Sequence, residues 1–438
     1  MIGKALSFIE GVLFTFALWV YGRIYVQERE LEKKPRLFWG TVPILNFKYW
    51  NEAMKLKGYD SVTLMTGFYN SINKKEDFDL YYPDIKKPLY IRLLNKIPYG
   101  FNNLSQIYLM FYITRNFDVL NISYEGVIFS NSRFWNKELD FYKKMGMKIV
   151  CLPYGGDYQR YSKLYNKSWH HALLINYPRG VFNEQRIDEK IDYFVRNADC
   201  IMAGFQFDQI SRWDILPYAV YPMNTDLWKP KKIYSENDGV NGVVKVYHTP
   251  NHKSIKGSEF LIEAVKQLKE EGLLVDLVLL EGVQNDRVRV LLHNDADILV
   301  EQLILGFALS ALEGMATGLP VISNLEEENQ TRVFRRFSYL NECPILSSNP
   351  EKIKKDLKLL ITNPALRKQL GVAGVSYVEK YHSFQAMSQI FTAIYDKIWF
   401  GKDVDLINFF NPMSPESYNN RSPKIEHPLF ENSFTLEN

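Results

Sequence analysis

The chain has 438 residues, of which 46% are hydrophobic and 24% charged, a globular composition with room for two domains of ordinary size. Its net charge of +3, with no basic run interleaved with aromatics, argues against a nucleic-acid groove, so no nucleic acid is expected as partner. The three cysteines, Cys151, Cys200 and Cys343, are far apart and odd in number, which excludes a disulfide framework and a zinc spacing and suits reduced thiols in the cytosol.

Residues 5–22 are apolar except for Ser7, Glu10, Thr15 and a few small residues, with Lys4 before them and Arg23 after. Gly3, Ser7, Gly11 and Thr15 fall on one helical face, the small-residue stripe of packed membrane helices. Trp19, Tyr21 and Tyr25 gather at the far end as an interfacial belt would. Residues 1–30 therefore read as a hydrophobic membrane-associating helix, with lipid contact through residues 2–26. The competing reading is an amphipathic helix docked on the protein itself. If the helix spans, Arg23, Arg29, Lys33, Lys34 and Arg36 hold the body on the cytoplasmic side. The expected location is the cytoplasm, at the cytoplasmic face of the membrane.

From residue 31 onward short apolar strands alternate with helical patterns, which predicts an α/β fold with parallel sheets. Strands are expected at Arg36–Trp39, Ser61–Met65, Val119–Ile122, Lys148–Leu152 and Cys200–Ala203, with helices at Ile44–Lys57, Leu139–Lys144 and Asp188–Arg196. A second series runs through Val243–His248, Leu274–Leu280, Ile298–Val300 and Val321–Ser323. The charged segment Lys229–Gly242 marks a boundary, giving Rossmann-like domains at 31–232 and 233–400. Ligands then belong at the carboxyl ends of the strands, facing a cleft between the two. Residues 401–438, rich in Pro, Ser and Asn without apolar periodicity, read as a largely disordered tail. Gly40 is the only glycine at the turn directly after the first strand, so a dinucleotide fingerprint is missing, and no G-x4-G-K-[ST] supports P-loop chemistry.

Two places stand out chemically. Gly306–Pro320 is almost wholly apolar or small, hence a buried helix, yet it carries Glu313 with no Lys, Arg or His three or four residues away. A buried carboxylate needs a partner from elsewhere in the fold or from a ligand. Gly306 at the helix start allows phosphate to approach free N–H groups, so the stretch reads as a nucleotide site with Glu313 on the sugar hydroxyls. The second place, His252-Lys253-Ser254-Ile255-Lys256-Gly257, lies at a strand-to-helix turn, where a lysine and a glycine suit a diphosphate. Asp295-Ala296-Asp297 precedes a strand instead of following one, so a metal site is not expected there.

The run Glu313–Ile322, E-G-M-A-T-G-L-P-V-I, resembles the E-A-M-A-x-G-x-P-V-I signature of retaining GT-B glycosyltransferases, the group 1 family that builds surface glycans. The resemblance extends over roughly residues 36–400. It implies two Rossmann-like domains facing a cleft. It also implies transfer of a hexose-type sugar from a UDP- or GDP-linked donor to a glycan or lipid-linked acceptor, with retention and without a metal. Lys256, Glu313 and Asp157 would carry the reaction. Gly155, Gly156, His252, Lys253, Gly257, Glu281, Gly282, Gly306 and Phe307 would surround the donor. Three positions depart from the family pattern. Leu305 stands where the first Glu of E-x7-E belongs, Tyr154 where the glycine loop Tyr154–Asp157 often has His, and Asn251 where an Arg accompanies the lysine. A non-catalytic relative that binds nucleotide or glycan as a partner subunit is the alternative, and an epimerase or phosphorylase on the same fold a third reading.

Overall fold

The computed structural model describes residues 2–25, 28–68, 73–89, 92, 102–130, 132, 134–204, 209–326 and 328–429. The chain divides into two units, one made of residues 1–158, 189–202 and 391–404, the other of 159–188, 203–390 and 405–438. This division departs from a single cut between 232 and 233. Segments 159–188 and 203–232 belong to the second unit, and the closing stretch 391–404 returns to the first.

In chain order the strands are β1 (Leu37–Thr41), β2 (Ser61–Met65), β3 (Leu80–Tyr81), β4 (Val119–Ile122), β5 (Lys148–Cys151), β6 (Cys200–Ile201), β7 (Val244–His248), β8 (Val275–Leu279), β9 (Ile298–Gln302), β10 (Val321–Ser323) and β11 (Leu346–Ser347). The helices are α1 (Ile2–Ile24), α2 (Leu45–Leu56), α3 (Asn102–Asn116), α4 (Glu138–Lys144), α5 (Lys167–Asn176), α6 (Glu184–Asn197), α7 (Lys253–Lys256), α8 (Ser258–Glu270), α9 (Asn285–Asn294), α10 (Leu309–Ala316), α11 (Glu328–Phe337), α12 (Ile353–Ile361), α13 (Pro364–Tyr381) and α14 (Phe384–Ile398).

The first unit carries a parallel sheet of order β3-β2-β1-β4-β5-β6. Its central strands are buried along their whole length, as covering both faces of a parallel sheet requires. The order reverses between β1 and β4, so the crevice at their carboxyl ends is the natural ligand position. The second sheet, β11-β10-β9-β7-β8, is also parallel. Its order is the flavodoxin-like one, with the reversal between β7 and β9. Val244, Val246, Ile298, Val300 and Ile322 of this sheet pack against Leu261, Leu268, Leu357 and Leu370 from α8, α12 and α13 to form one core.

Two expectations for the chain ends change. The N-terminal stretch is helical as expected, but no helix among the described residues is long and apolar enough to cross a membrane. Its last turns dock on the first unit. Tyr21 stacks on Phe111 of α3 at 3.7 Å and its hydroxyl lies 3.0 Å from the Thr114 hydroxyl. Just beyond the helix, Arg29 grips Asp118 at 2.6 Å and donates to the carbonyls of Thr114, Phe117 and Met145. Tyr21 of the expected belt and Arg29 of the expected positive flank are thus engaged by the protein, while Trp19, Tyr25 and Lys33 remain exposed.

The tail is ordered over 401–429, against the expectation of disorder, while 430–438 lie outside the described residues. Isolated side chains anchor it. Phe410 and Tyr418 pack near Tyr339 and Tyr381, and Asn419 donates to the carbonyls of Ser338 and Phe410. Lys380 clasps Glu342 at 2.9 Å and also reaches the Pro423 carbonyl at 3.0 Å. Such anchoring leaves no periodic signature.

Candidate functional site

In the second unit the loops after β7 and β9 meet at the point where the strand order reverses. β7 ends at His248, fully buried, whose Nδ1 faces the Val300 carbonyl and whose Nε2 faces the Ser258 hydroxyl, each at 2.7 Å. Burial lowers its pKa, so the ring is a neutral tie between β7, β9 and α8. The chain then turns through the short helix α7 and Gly257, which has a left-handed φ of +70°. A Cβ there would stand 3.2 Å from that of Leu303, so glycine lets this turn lie against the loop after β9.

The turn presents Lys256, mostly buried, and its ammonium donates to Glu301 at the end of β9. Glu301 was not singled out from the sequence, where it closes the apolar run Ile298–Val300 and reads as part of a strand. A charged residue at the carboxyl end of a central parallel strand was the available signal. Its carboxylate also accepts from the Ser310 hydroxyl at 2.9 Å, the Ser323 hydroxyl at 3.2 Å and the Ala308 N–H at 3.3 Å. Lys253 pairs with Glu281 at 2.9 Å, both half-exposed. His252 Nε2 lies 2.6 Å from the Tyr177 hydroxyl, and burial followed by the Lys256 charge lowers its pKa. Thr249, on the same loop, has a shielded hydroxyl with no hydrogen-bond partner.

Glu313 sits in α10, buried as its apolar surroundings predicted. Its partner is neutral: the Asn285 amide, first residue of α9, donates to Oε1 at 2.6 Å. Burial drives the Glu313 pKa up to about 7, the Asn285 bond opposes this, the Glu301 charge adds to it and Lys256 lowers it. The carboxyl therefore stands at the edge of ionisation at neutral pH. Gly306 does not open the helix. It has a positive φ and bridges to Asn324, and α10 begins three residues later at Leu309. Phe307 is buried with its ring edge-on to Tyr218 at 5.1 Å. Leu305 is buried and its carbonyl takes the Gln302 amide. Gly282, with a φ of +64°, faces open space.

In the first unit, Gly155 and Gly156 likewise have no atom within 4 Å of where a Cβ would stand, leaving the loop open to an approaching molecule. Asp157 is buried and accepts the N–H groups of Tyr154 and Tyr124, each at 2.9 Å, so it clamps the loop. Burial pushes its pKa well above the carboxylate range, against those two bonds. A cavity of about 780 Å3 opens at the ends of β1, β2 and β4, lined among others by Thr41, Thr66, Phe68, Gln106, Glu125 and Ser130. Glu125 bonds the Ser130 hydroxyl at 2.6 Å and Lys190 at 3.1 Å. Below it the buried Glu138 accepts from Val127 N and Ile128 N, with its pKa raised by burial to about 7.

Among the described residues no cluster of three His, Cys, Asp or Glu could hold a metal. Asp295 instead bonds Lys245 and the Tyr247 hydroxyl at 2.5 Å, and Asp297 accepts the Lys245 N–H. The three cysteines are buried thiols.

Most of the chain is similar to solved structures. One is a sucrose-phosphate synthase from Thermosynechococcus elongatus, at 12% identity and a TM-score of 0.51, covering 84% of this chain and 100% of that one. Another is an α-glucosyltransferase solved with UDP-glucose and DNA containing an abasic site, at 11% identity and a TM-score of 0.50, covering 84% and 100%. The likeness is one of fold. The two-sheet α/β architecture is GT-B-like, and at such identities nothing about substrate follows. No family model matches the chain, and no curated protein sequence matches it.

Proposed function

We propose that the protein is a glycosyltransferase that moves a sugar from a nucleoside-diphosphate donor to a glycan or lipid-linked acceptor, with retention at the anomeric carbon. The observation that carries this reading is that Lys256, paired with Glu301, lies within electrostatic reach of the buried Glu313, whose one hydrogen bond comes from the neutral Asn285 amide, at the point where the second sheet reverses its order. A basic turn and a carboxyl with hydrogen-bonding capacity to spare are what a diphosphate and a ribose require.

On this reading Lys256 neutralises the leaving diphosphate, with Lys253, His252 and the Gly257 backbone beside it. Glu313 accepts from the ribose hydroxyls. Gly306, Glu281 and Gly282 border the nucleotide, while Phe307 supports that border from the core. The donor is UDP- or GDP-linked and no metal takes part. In the first unit, the open Gly155-Gly156 turn held by Asp157 and the cavity at β1 and β4 receive the acceptor. The chemistry is positioning and charge stabilisation at the leaving group, without a dedicated base. The reaction belongs in the cytoplasm, and the absence of a nucleic-acid partner rests on composition alone.

The test is turnover of UDP- and GDP-sugars with glycan acceptors, beside Glu313→Ala and a cavity-filling Ser130→Trp. A loss of donor affinity in the first and a raised acceptor KM alone in the second are expected; transfer that neither substitution alters would refute the assignment. The non-catalytic reading has its own support, since Leu305 offers no carboxylate and Lys256 already holds an internal partner. Nucleotide binding with no turnover over a broad panel would favour it.

A further inference from the structure

The groups that would grip a phosphate in the second unit already hold an anion, and it belongs to the chain. Lys256 Nζ, the Ser310 hydroxyl and the Ala308 N–H at the start of α10 converge on the Glu301 carboxylate, with the Ser323 hydroxyl completing its shell. The Glu301 side chain has no solvent exposure. A cation, a hydroxyl and a helix-start N–H form the usual constellation for an anion. Here a buried strand carboxylate fills it from beneath.

We infer that Glu301 is a built-in competitor of the donor diphosphate, a positioning residue that stores Lys256 when the site is empty. This rests on the nucleotide reading of the same site. A diphosphate entering there meets an ammonium already neutralised, and a unit negative charge within a few ångströms in a poorly screened setting. Binding requires Lys256 to leave Glu301 for the phosphate, so donor affinity is set by the difference between two ion pairs and not by the full strength of one. The pair has a second consequence. Neither charge is buried alone in the empty protein, which would be strongly destabilising. Glu301 thus keeps the lysine folded and available, and weakens its grip on the product diphosphate that must leave after transfer. Leu305, in the loop that follows β9, supplies no carboxylate, so the acidic partner of Lys256 comes from the strand itself.

The test is calorimetric titration of UDP and GDP into the full chain and into Glu301→Gln, with Lys256→Met/Glu301→Gln as control. The glutamine preserves shape and keeps an oxygen for Ala308 and Ser323, while its amide releases Lys256. Removing one unit charge at this range should tighten the preferred nucleotide about tenfold or more, and the gain should vanish in the double variant. Binding by Glu301→Gln where the wild type shows none supports the inference equally. Equal or weaker binding by a folded Glu301→Gln, with a wild-type affinity that depends on Lys256, overturns it and leaves the nucleotide site standing. No binding by either protein overturns both. Should the glutamine variant fail to fold, Glu301→Asp, which keeps the charge but shortens its reach to Lys256, must tighten binding in the same direction; an unchanged affinity there sinks the idea.

Discussion

The two units repeat one architectural offer and fill it differently. Each parallel sheet reverses its order once and opens a crevice at the carboxyl ends of the strands on either side. In the first unit the crevice is a cavity of about 780 Å3 whose described lining combines aliphatic side chains, hydroxyls, an amide and aromatic rings, with Glu125 held at the wall by Lys190. In the second the corresponding crevice is bordered by Lys256 of α7, Glu301 of β9 and Glu313 of α10, buried and electrostatically linked. Backbone topology fixes where a ligand can sit. The charges brought to each crevice decide which ligand that is, and on the proposed reading the second takes a phosphate and the first an acceptor hydroxyl.

The comparison breaks most visibly at Lys256. Lys256→Met leaves Glu301 buried and unpaired, and should lower stability by about 3–5 kcal/mol in a urea melt, most of it restored by adding Glu301→Gln. A loss under about 1 kcal/mol would mean that the pair is solvated in solution and the two crevices are less different than they look. Next comes Glu313→Ala, which should weaken nucleotide binding by about 2 kcal/mol, the range for a hydrogen bond to a charged group, with little loss of stability. Binding unaffected by that change would move the ribose elsewhere.

A pH series sharpens the contrast further. Glu313 has a native pKa near 7, above its usual 4.5, so the folded state keeps a proton that the unfolded state releases. Its contribution to stability is fully present below about 4.5, declines as pH rises, and is gone above about 7. The slope for one such group is at most about 1.4 kcal/mol per pH unit. Glu138 in the first unit behaves in the same way. The Glu313→Gln variant should remove one of the two contributions, and an identical pH profile would show that Glu313 is not buried as described. The smallest effect is expected at Lys253, whose pair with Glu281 is half-exposed. Lys253→Ala should shift stability by less than about 0.5 kcal/mol while still reducing UDP affinity a few-fold; a large stability loss would place it among the structural residues.

Much of this was legible in the sequence, and the gaps have physical causes. The strands Ser61–Met65, Val119–Ile122 and Val321–Ser323 coincide with their expected ranges, because strands covered on both faces carry no charged residue and mostly apolar ones. β3 is two residues long and offers no such string. The burial of Glu313 could be read from its neighbours, but its partner Asn285 could not, since the contact joins residues distant in sequence. Glu301 was hidden by the strand it closes. Gly306 was misplaced as the helix start because its bridge to Asn324 is tertiary. The ordered tail escaped for the same reason: single aromatic anchors such as Phe410 and Tyr418 leave no period to read.

The most direct measurement is calorimetric titration of UDP, GDP and ADP into the wild type and Glu301→Gln, each with and without Glu313→Ala. The account predicts binding of one nucleotide, tighter in Glu301→Gln and lost or much reduced wherever Glu313 is replaced. Binding by none of these folded proteins, or binding indifferent to Glu313, would contradict a nucleotide site at the reversal point of the second sheet.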